Sequence, residues 1–560
     1  MELSKVALLY IILLSLGLQD APLAAAEPAH IFYLIHTNKL DMALDHYQEY
    51  HNRFGRHDTE FLQQLGLSVL ELGAKSYDAE TLLMTLFGAG IAMNERTLPI
   101  LIRAVEYPNP QLQLLALNFL ARCQHDDADR SLLVALRSNS LVIRLEAAHQ
   151  IAKKKHSQAT QLIQSLMSKV DEELLPLFPQ LYALIENPDA IRILRRLLSH
   201  HSEDVRIAAI LSCAKTGRDD LLPKIKALAT HASYAQQEAC AAAFGNFNDD
   251  TAIPFLERFA NSQIPEVRVA ALKSLDALGA NQYRDEIKRL ALGGDLFAII
   301  ALGDIHGSQE ALWQLAQSKN NQISLNAVVG LLKQCDPRSQ KFLNSILIQD
   351  SRDLAFIKNV SPGKSLSCWK AVPSARQNCD DYSIDLELSQ SFRESLLIEA
   401  MNLPEENFFQ IAAAIFDQQQ NDLVPTAIEL LEQLKTDRSV QFLKSYQQRA
   451  GAPLIRNYCN LALYRLQEEG PYAANLRKWV LQQADAPLIQ LRPLVPWEVD
   501  STISNYLITP HETSRLLVES YEAFAQRQDD EGINALLNAV RNGNSKNKYA
   551  LAGLLMRASL

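Results

Sequence analysis

Three arginines stand out because of their spacing. Arg144, Arg206 and Arg268 lie 62 residues apart, which is twice an interval of 31, and each is followed by a run of apolar residues. A guanidinium group offers five N–H donors in one plane, so it can bind carboxylates, phosphates and carbonyl oxygens. Regularly spaced arginines could form a ladder for an anionic partner, or they could join neighbouring structural units.

Adjacent acidic residues form a second group with possible chemistry, because clustered carboxylates suit hard cations such as Ca²⁺. None of these pairs is followed by the glycine and the final glutamate of an EF-hand loop. Three of them fall where a helix is expected to begin, and aspartate is a common N-cap residue there. We therefore interpret the pairs as caps and solvated charges, and we predict no metal site. The pairs are Asp126-Asp127, Asp219-Asp220, Asp249-Asp250, Asp380-Asp381 and Asp529-Asp530.

Six of the seven cysteines fall into two kinds of sequence context. Cys368 and Cys379 lie in the least helical part of the chain, where an oxidising compartment could join them by a disulfide bond. No CxxC pattern or further histidine at ligand spacing supports a metal site there. Four other cysteines occur within helical apolar patterns and are expected to be small buried side chains. They are Cys123, Cys213, Cys240 and Cys459.

Enzyme signatures are missing from the sequence. There is no G-x-S-x-G, H-E-x-x-H, P-loop or G-x-G-x-x-G pattern, so we name no catalytic residue and no cofactor. The net charge of −10 disfavours nucleic acid as a partner, because phosphates would be repelled.

The arginines belong to a longer column of positions at 31-residue intervals, here called the index column. After each index residue the apolar positions follow helical spacing, and a second apolar helix follows within the same interval. Residues suited to helix caps recur thirteen positions after most index residues. Each interval thus predicts a helix, a capped turn and a second helix. The index column is Gln113, Arg144, Leu175, Arg206, Gln237 and Arg268.

Two such helices cannot bury their apolar faces alone, so they must stack on neighbouring pairs. The sequence therefore predicts an all-α fold, an α-solenoid superhelix of stacked antiparallel helix pairs with contacts that are mostly nearest-neighbour. Only 20 glycines occur in 560 residues, about half of the usual ~7%, which agrees with a helical chain.

The segment Pro265–Leu275, echoed at Glu203–Ala209, resembles the short HEAT-like repeats of the type found in phycobilin lyases. The resemblance covers about Thr97 to Pro337. It implies a helical solenoid in which the repeated arginine lies between adjacent repeats and bonds a turn carbonyl or carboxylate. On that basis Arg144, Arg206 and Arg268 are assigned to repeat stacking.

The N-terminus predicts export. Lys5 precedes an apolar run, Val6–Leu18, and Ala24–Ala26 then supplies small residues for cleavage. We expect a signal peptide at 1–26, although the run could instead remain as an uncleaved anchor. The remaining expected divisions are a helical lead-in at 27–95, a HEAT-like array at 96–349, an irregular linker or insertion at 350–390, and a C-terminal helical region with degenerate repeats at 391–560.

Together these features predict an exported, non-catalytic scaffold that binds a protein partner on its concave or edge surface. Location in a periplasm or secretion both fit, and no membrane-spanning segment is expected after cleavage. Two alternatives remain open from the sequence. One is a component of envelope assembly or secretion, and the other is a lyase-like or ligand-handling role suggested by the repeat family.

Overall fold

A computed structural model describes residues 20–37, 39–348, 355–360, 367–372, 392–449, 451–486, 488 and 511–558. Within these ranges the chain is almost entirely helical. It divides into two compact units. Unit 1 combines Met1–Ile143 with Leu463–Leu560, and unit 2 is Arg144–Ala462.

The helices are numbered in chain order. Up to residue 135 they are α1 (Asp20–His36), α2 (Leu40–Phe54), α3 (Thr59–Gly73), α4 (Ala79–Ile91), α5 (Leu98–Ala104), α6 (Pro110–Leu120) and α7 (Asp126–Ala135). The central helices are α8 (Leu141–Lys153), α9 (Ala159–Met167), α10 (Phe178–Ile185), α11 (Pro188–Leu197), α12 (Glu203–Lys215), α13 (Leu222–Ala229), α14 (Tyr234–Phe247), α15 (Ile253–Ala260), α16 (Pro265–Ala277), α17 (Arg284–Leu292), α18 (Leu296–Leu302), α19 (Gln309–Ala316), α20 (Asn321–Lys333) and α21 (Gln340–Ile348). After residue 391 they are α22 (392–399), α23 (Glu405–Asp417), α24 (Val424–Leu434), α25 (Asp437–Arg449), α26 (Pro453–Arg465), α27 (Tyr472–Gln482), α28 (His511–Gln526), α29 (Asp530–Asn542) and α30 (Asn547–Arg557).

The 31-residue interval is present in the structure. The first helical element of each repeat starts three residues before its index residue, and the series continues one repeat beyond Arg268. For Leu175 that element is a 3₁₀ segment, Glu172–Leu177. The starts are Pro110, Leu141, Glu172, Glu203, Tyr234, Pro265 and Leu296.

The predicted caps lie one position too late in the sequence. Asp126 and Asp250 are the first residues of their helical elements, not the caps, and Pro188, at the same position of its repeat, likewise begins α11. The side chains that accept the free backbone N–H groups belong to the preceding residues. They are His125 (from Asp127 N–H, 3.1 Å), Asn187 (from Ala190 N–H, 2.8 Å) and Asp249 (from Thr251 N–H, 2.7 Å). Proline and carboxylates suit the first turn because of its fixed φ and the helix dipole.

The array of unit 2 is built from direct contacts between successive first helices. α12 packs on α14, and α14 packs on α16. Small side chains let these helices approach closely, as where Ser274 Oγ donates to the Ala241 carbonyl at 2.8 Å. Ala209, Ala241 and Ala271 are fully buried in this stack. The predicted packing of each repeat on its neighbours is therefore confirmed for this part of the chain.

Unit 1 departs from the predicted pattern of neighbour contacts. Its helix α30 packs against α3 and α4, which precede it by more than 450 residues. Gly88 and Gly553 face each other there, and a Cβ on either would collide with backbone of the other helix. Because neither glycine has a side chain, α4 and α30 can pack closely at this point. Sequence periodicity missed this contact because it reports only neighbouring repeats.

A short β-hairpin lies between α21 and α22, in the segment predicted to be irregular. β1 (Ala355–Val360) pairs antiparallel with β2 (Ser367–Val372), with Ala355 opposite Val372. It is a small addition to a helical chain, so the predicted all-α class holds. Within the described part of the chain, none of the helices has both the length and the apolar character that a membrane crossing needs. Met1–Gln19, most of the predicted signal peptide, lies outside the described residues.

Candidate protein-binding surface

Arg206 joins two neighbouring repeats. Its Nη1 donates to the carbonyls of His200 at 2.6 Å and His201 at 2.7 Å, in the turn before α12. Its Nε and Nη2 lie 2.6 and 2.7 Å from the side-chain amide of Gln236 on α14. The amide orientation that satisfies both groups directs the Gln236 oxygen at Arg206. One guanidinium group therefore connects the turn that precedes its own repeat with the repeat that follows it.

The other index residues do not repeat this arrangement. Gln237 Nε2 donates to the Ala232 carbonyl at 2.9 Å, which is the same five-residue step as from Arg206 to His201. The buried Nε atoms of Arg144 and Arg268 meet no hydrogen-bond acceptor among the described residues. The index column thus shares one position on the first helix, whereas its hydrogen bonding varies from repeat to repeat.

Ion pairs about one repeat apart add polar contacts that the sequence analysis did not single out. They connect residues 23 to 31 positions apart, so opposite charges at roughly the repeat interval were the available signal. Several are exposed, and each exposed pair contributes only about 0–1 kcal/mol. They are Lys155–Glu186, His201–Glu172 (2.7 Å), Lys226–Asp249 (3.1 Å), Lys273–Asp304 (2.5 Å) and Arg338–Glu310 (2.7 Å).

Three cysteines are buried, as expected. Burial raises the pKa of the Cys213 and Cys240 thiols to about 12, and it raises the pKa of Cys459 further. These thiols therefore stay protonated and unreactive. Cys123 was also expected in the core, but it is only half-buried, just beyond α6. For the predicted disulfide, Cys379 and the side chain of Cys368 lie outside the described part of the structure.

Helices α23 and α25 of unit 2 pack together through aromatic side chains along a line here called the aromatic groove and defined by Phe409, Phe416, Phe442 and Tyr446. Phe409, Phe416 and Tyr446 are only 5%, 2% and 2% exposed, and Phe442 is half-buried. The Phe442 ring lies 5.3 Å from Phe409, 5.9 Å from Phe416 and 4.8 Å from Tyr446, measured between centroids. Phe409 and Phe416 are seven residues apart, so both lie on one face of α23. The groove therefore runs along the helix pair.

Two shallow depressions open along the aromatic groove. One, of about 390 Å³, lies over Phe409 and Phe442. The other, of about 260 Å³, lies over Phe416 and Tyr446 and extends to Ile455. Apolar rings at the base of a depression favour the burial of another apolar side chain.

Each depression is bordered by an arginine stacked on an aromatic ring. The Arg438 guanidinium lies 4.9 Å from the Phe409 centroid and pairs with Glu406. The Arg449 guanidinium lies 4.1 Å from the Tyr446 centroid. Such stacking orients a guanidinium group while its remaining donors stay available at the surface.

The Tyr446 hydroxyl is held in the groove as a donor. It donates to Asp417 Oδ1 at 2.9 Å. Burial and the Asp417 carboxylate raise the pKa of Tyr446 to about 12, so the hydroxyl remains protonated at neutral pH. Its ring is thereby fixed between α23 and α25.

Arg393 on α22 anchors the helices that present the groove. Its side chain is almost fully buried. It donates to Asp422 Oδ2 at 2.6 Å, to Gln420 Oε1 at 2.8 Å and to the Leu347 carbonyl. It thus connects the end of α21 with the turn between α23 and α24. Arg393 was not predicted from the sequence, because the 31-residue interval does not continue through this part of the chain.

A second cluster that the sequence analysis missed lies in unit 1. His51, His57 and Asp530 bring two imidazole nitrogens and a carboxylate oxygen within 4.8 Å of one another. The two histidines are six residues apart, while His51 and Asp530 are separated by 479 residues. No spacing rule links residues that far apart, so only the fold could reveal the cluster.

Comparisons with known proteins agree with the repeat architecture. Residues 180–242 and 222–295 match the family model of HEAT repeats, so this part of the chain consists of HEAT repeats. The predicted HEAT-like α-solenoid is therefore confirmed. A search of curated protein sequences found no match.

Several solved structures are similar to parts of this chain. The complex of CpcE and CpcF of phycocyanin lyase from Nostoc sp. PCC7120 has 21% identity and a TM-score of 0.30, covering 39% of this chain and 94% of that one. Kap121p bound to the C-terminus of the phosphatase Cdc14p has 12% identity and a TM-score of 0.39, covering 91% and 61%. Importin beta, crystallised with ammonium sulfate, has 12% identity and a TM-score of 0.32, covering 95% and 80%. The chain thus spans about three fifths of that Kap121p chain. At these TM-scores none of the structures assigns a partner or an activity to this protein.

Proposed function

We propose that this protein is an exported, non-catalytic scaffold of HEAT repeats that binds a segment of a protein partner in the aromatic groove. The observation on which the proposal rests is the pair of arginine-bordered depressions between α23 and α25. A groove along two parallel stacked helices suits an elongated segment better than a small molecule. Scaffold function also agrees with the lack of enzyme motifs in the sequence.

The spacing of the depressions describes the partner segment. Phe409 and Phe416 are seven residues apart on α23, which corresponds to about 10.5 Å at a rise of 1.5 Å per residue. Two apolar side chains at that distance would occupy both depressions. The same distance separates residues seven apart on a helix, which also share one face of it.

The charged residues that border the groove indicate which residues the partner segment should carry. Arg438 and Arg449 border the two depressions with oriented guanidinium groups. Carboxylates next to the apolar anchors of the partner would accept charge-assisted hydrogen bonds from them. We therefore expect a segment with two apolar anchors flanked by aspartate or glutamate.

Site-specific crosslinking tests the location of binding. A photoreactive amino acid at Gln441, which lines the depression over Phe409, should crosslink the partner in intact cells. The same group at Gln433, exposed on α24 of the same unit, is the matched control. Crosslinks at Gln441 should disappear when Phe442 is replaced by alanine or Arg438 by glutamate. Equal crosslinking at both positions, or insensitivity to these substitutions, would contradict the proposal.

Export is tested separately by N-terminal sequencing of the processed protein. We expect it to begin at Glu27 or within a few residues. The described core residues of α1 are Ile31, Leu34 and Ile35, which all follow the predicted cleavage position and would remain in the folded protein. Recovery of an intact Met1 end from the cytosol would refute export while leaving the groove proposal untouched.

A further inference from the structure

Two histidines of unit 1 are stacked by the turn that follows α2. Gly55 has a φ of +71°, a left-handed conformation that glycine adopts readily, and its N–H donates to the His51 carbonyl at 2.7 Å. The chain reverses there, and the His57 ring comes to lie over His51. Their centroids are 4.2 Å apart and the ring planes differ by 20°.

Both imidazoles direct Nε2 towards the first residue of α29. His51 Nε2 lies 2.8 Å from Asp530 Oδ1, and His57 Nε2 lies 3.5 Å from the same oxygen and 3.0 Å from the Asp530 carbonyl. The histidine side chains are only 9% and 6% exposed, whereas the Asp530 side chain is 47% exposed. The cluster is thus enclosed on the histidine side and open to water at the carboxylate.

The buried residue behind the cluster fixes the orientation of His57. Tyr47 Oη accepts the Asp58 backbone N–H at 2.9 Å and lies 3.1 Å from His57 Nδ1. With Nδ1 engaged, Nε2 is the nitrogen turned towards Asp530. Hydrogen bonding of the second ring nitrogen is the usual way in which proteins orient a histidine ligand.

His51 differs from His57 in its second ring nitrogen, because His57 Nδ1 lies near the Tyr47 hydroxyl. His51 Nδ1 is buried without a hydrogen-bond partner among the described residues, so only its Nε2 interacts with a polar group.

We propose that His51 Nε2, His57 Nε2 and an Asp530 carboxylate oxygen bind one Zn²⁺ ion, with a fourth position open to water. Two imidazoles and one carboxylate are ligands that Zn²⁺ prefers, whereas Mg²⁺ and Ca²⁺ require mostly oxygen ligands. Bonds of 2.0–2.2 Å place ligand atoms about 3.3 Å apart in tetrahedral geometry. The observed nitrogen–oxygen distances of 2.8 and 3.5 Å lie on either side of that value.

Such an ion would connect distant parts of the chain. His51 belongs to α2 and Asp530 begins α29, 479 residues later, and both are in unit 1. Zinc would therefore hold the N-terminal and C-terminal helices of unit 1 together. Metal binding that requires the folded arrangement adds its free energy to folding.

Zinc titration of the full chain tests the proposal. The protein is first freed of metal with a chelator, and its thiols are alkylated because Cys335 is exposed and could bind zinc. Isothermal titration should then show one Zn²⁺ per chain, and no comparable binding of Mg²⁺. Zinc should also slow amide hydrogen exchange in α2 and α29. Absence of stoichiometric binding by the unmodified chain would overturn the proposal without any variant.

Substitutions locate the ion. His57→Gln and Asp530→Asn should each lower the affinity more than 10-fold, and Tyr47→Phe, which removes the orienting hydroxyl, should lower it about 10-fold or more. His46→Gln is the matched control, because His46 is an exposed histidine on the same helix as His51. Circular dichroism without metal shows whether each variant is folded. Binding that survives in folded His57→Gln and Asp530→Asn proteins would also overturn the proposal.

Discussion

Replacement of Arg206 by alanine should weaken the stacking of α12 on α14. The guanidinium group bonds two turn carbonyls and the amide of Gln236, which is only 5% exposed. After the substitution, water can reach the carbonyl of the exposed His201, but not the buried amide oxygen of Gln236. The loss is therefore concentrated at one unsatisfied acceptor.

The magnitude follows from that acceptor. A buried polar group left without its partner costs about 1–3 kcal/mol, whereas hydrogen bonds that water can replace contribute little. We expect Arg206→Ala to destabilise the α12–α14 stack by about 1–3 kcal/mol. The exposed Lys215, on the same helix, is the matched control, and Lys215→Ala should lie within about 0.5 kcal/mol of the unmodified protein.

Hydrogen exchange on the full chain is a suitable assay, because a protein with two units need not unfold in one step. Opening free energies of peptides from α12 and α14 would be compared for the single variants, for Gln236→Met, and for the double variant. Methionine removes the buried acceptor at similar volume. The double variant should therefore be more stable than the sum of the two single effects predicts.

Two results would refute this reasoning. One is an Arg206→Ala effect no larger than that of Lys215→Ala. The other is additivity of Arg206→Ala and Gln236→Met, since it would show that the two side chains do not interact across the repeats.

Three further perturbations should have measurable effects. Gly553→Ala should force α30 away from α4 and cost about 1–3 kcal/mol in thermal unfolding, whereas Gly451→Ala, with no atom near its Cβ position, should cause no loss. Arg393→Met should cost about 2–4 kcal/mol, seen as faster hydrogen exchange in α22 and α24, because it leaves several acceptors without their donor. Burial alone would raise the pKa of Asp529, but hydrogen bonds from Arg477 and Tyr464 lower this pKa overall. The ionised Asp529 carboxylate therefore stabilises the folded state above the ordinary aspartate pKa of about 3.9, and this stabilisation is lost as the pH falls through the lower pKa of the folded state. Acid titration followed by circular dichroism should therefore show unit 1 of Arg477→Met unfolding at higher pH than the unmodified protein, and an unchanged midpoint would contradict this account.

Local patterns predicted the array well. The index column located the starts of the first helices from Pro110 to Pro265, because a repeat that stacks on its neighbours must keep the same apolar spacing. The caps predicted at Asp126 and Asp250 were misplaced by one residue, since aspartate is suited both to the cap and to the first turn. Arg206 was identified, but its partner Gln236 was not.

Contacts between distant segments could not be predicted from periodicity. The packing of α30 on α3 and α4 depends on Gly88 and Gly553, which look unremarkable within two separate helices. The cluster of His51, His57 and Asp530 likewise forms from segments that are distant in the sequence, so no spacing could predict it. The aromatic groove had a weak signal, since Phe409 and Phe416 share a helix face, but apolar residues at that spacing more commonly form a core.

The packing of α30 on α3 and α4 also sets an order of events during synthesis. Glu80 of α4 and its ion-pair partner Lys546 are 466 residues apart. At about 5–20 residues per second, the ribosome needs roughly 25–90 s to make the intervening chain. The repeats of unit 2 can fold during that time from their own local contacts. Meanwhile α3 and α4 lack their partner helix, which gives chaperones a defined interval in which to bind the uncovered apolar faces.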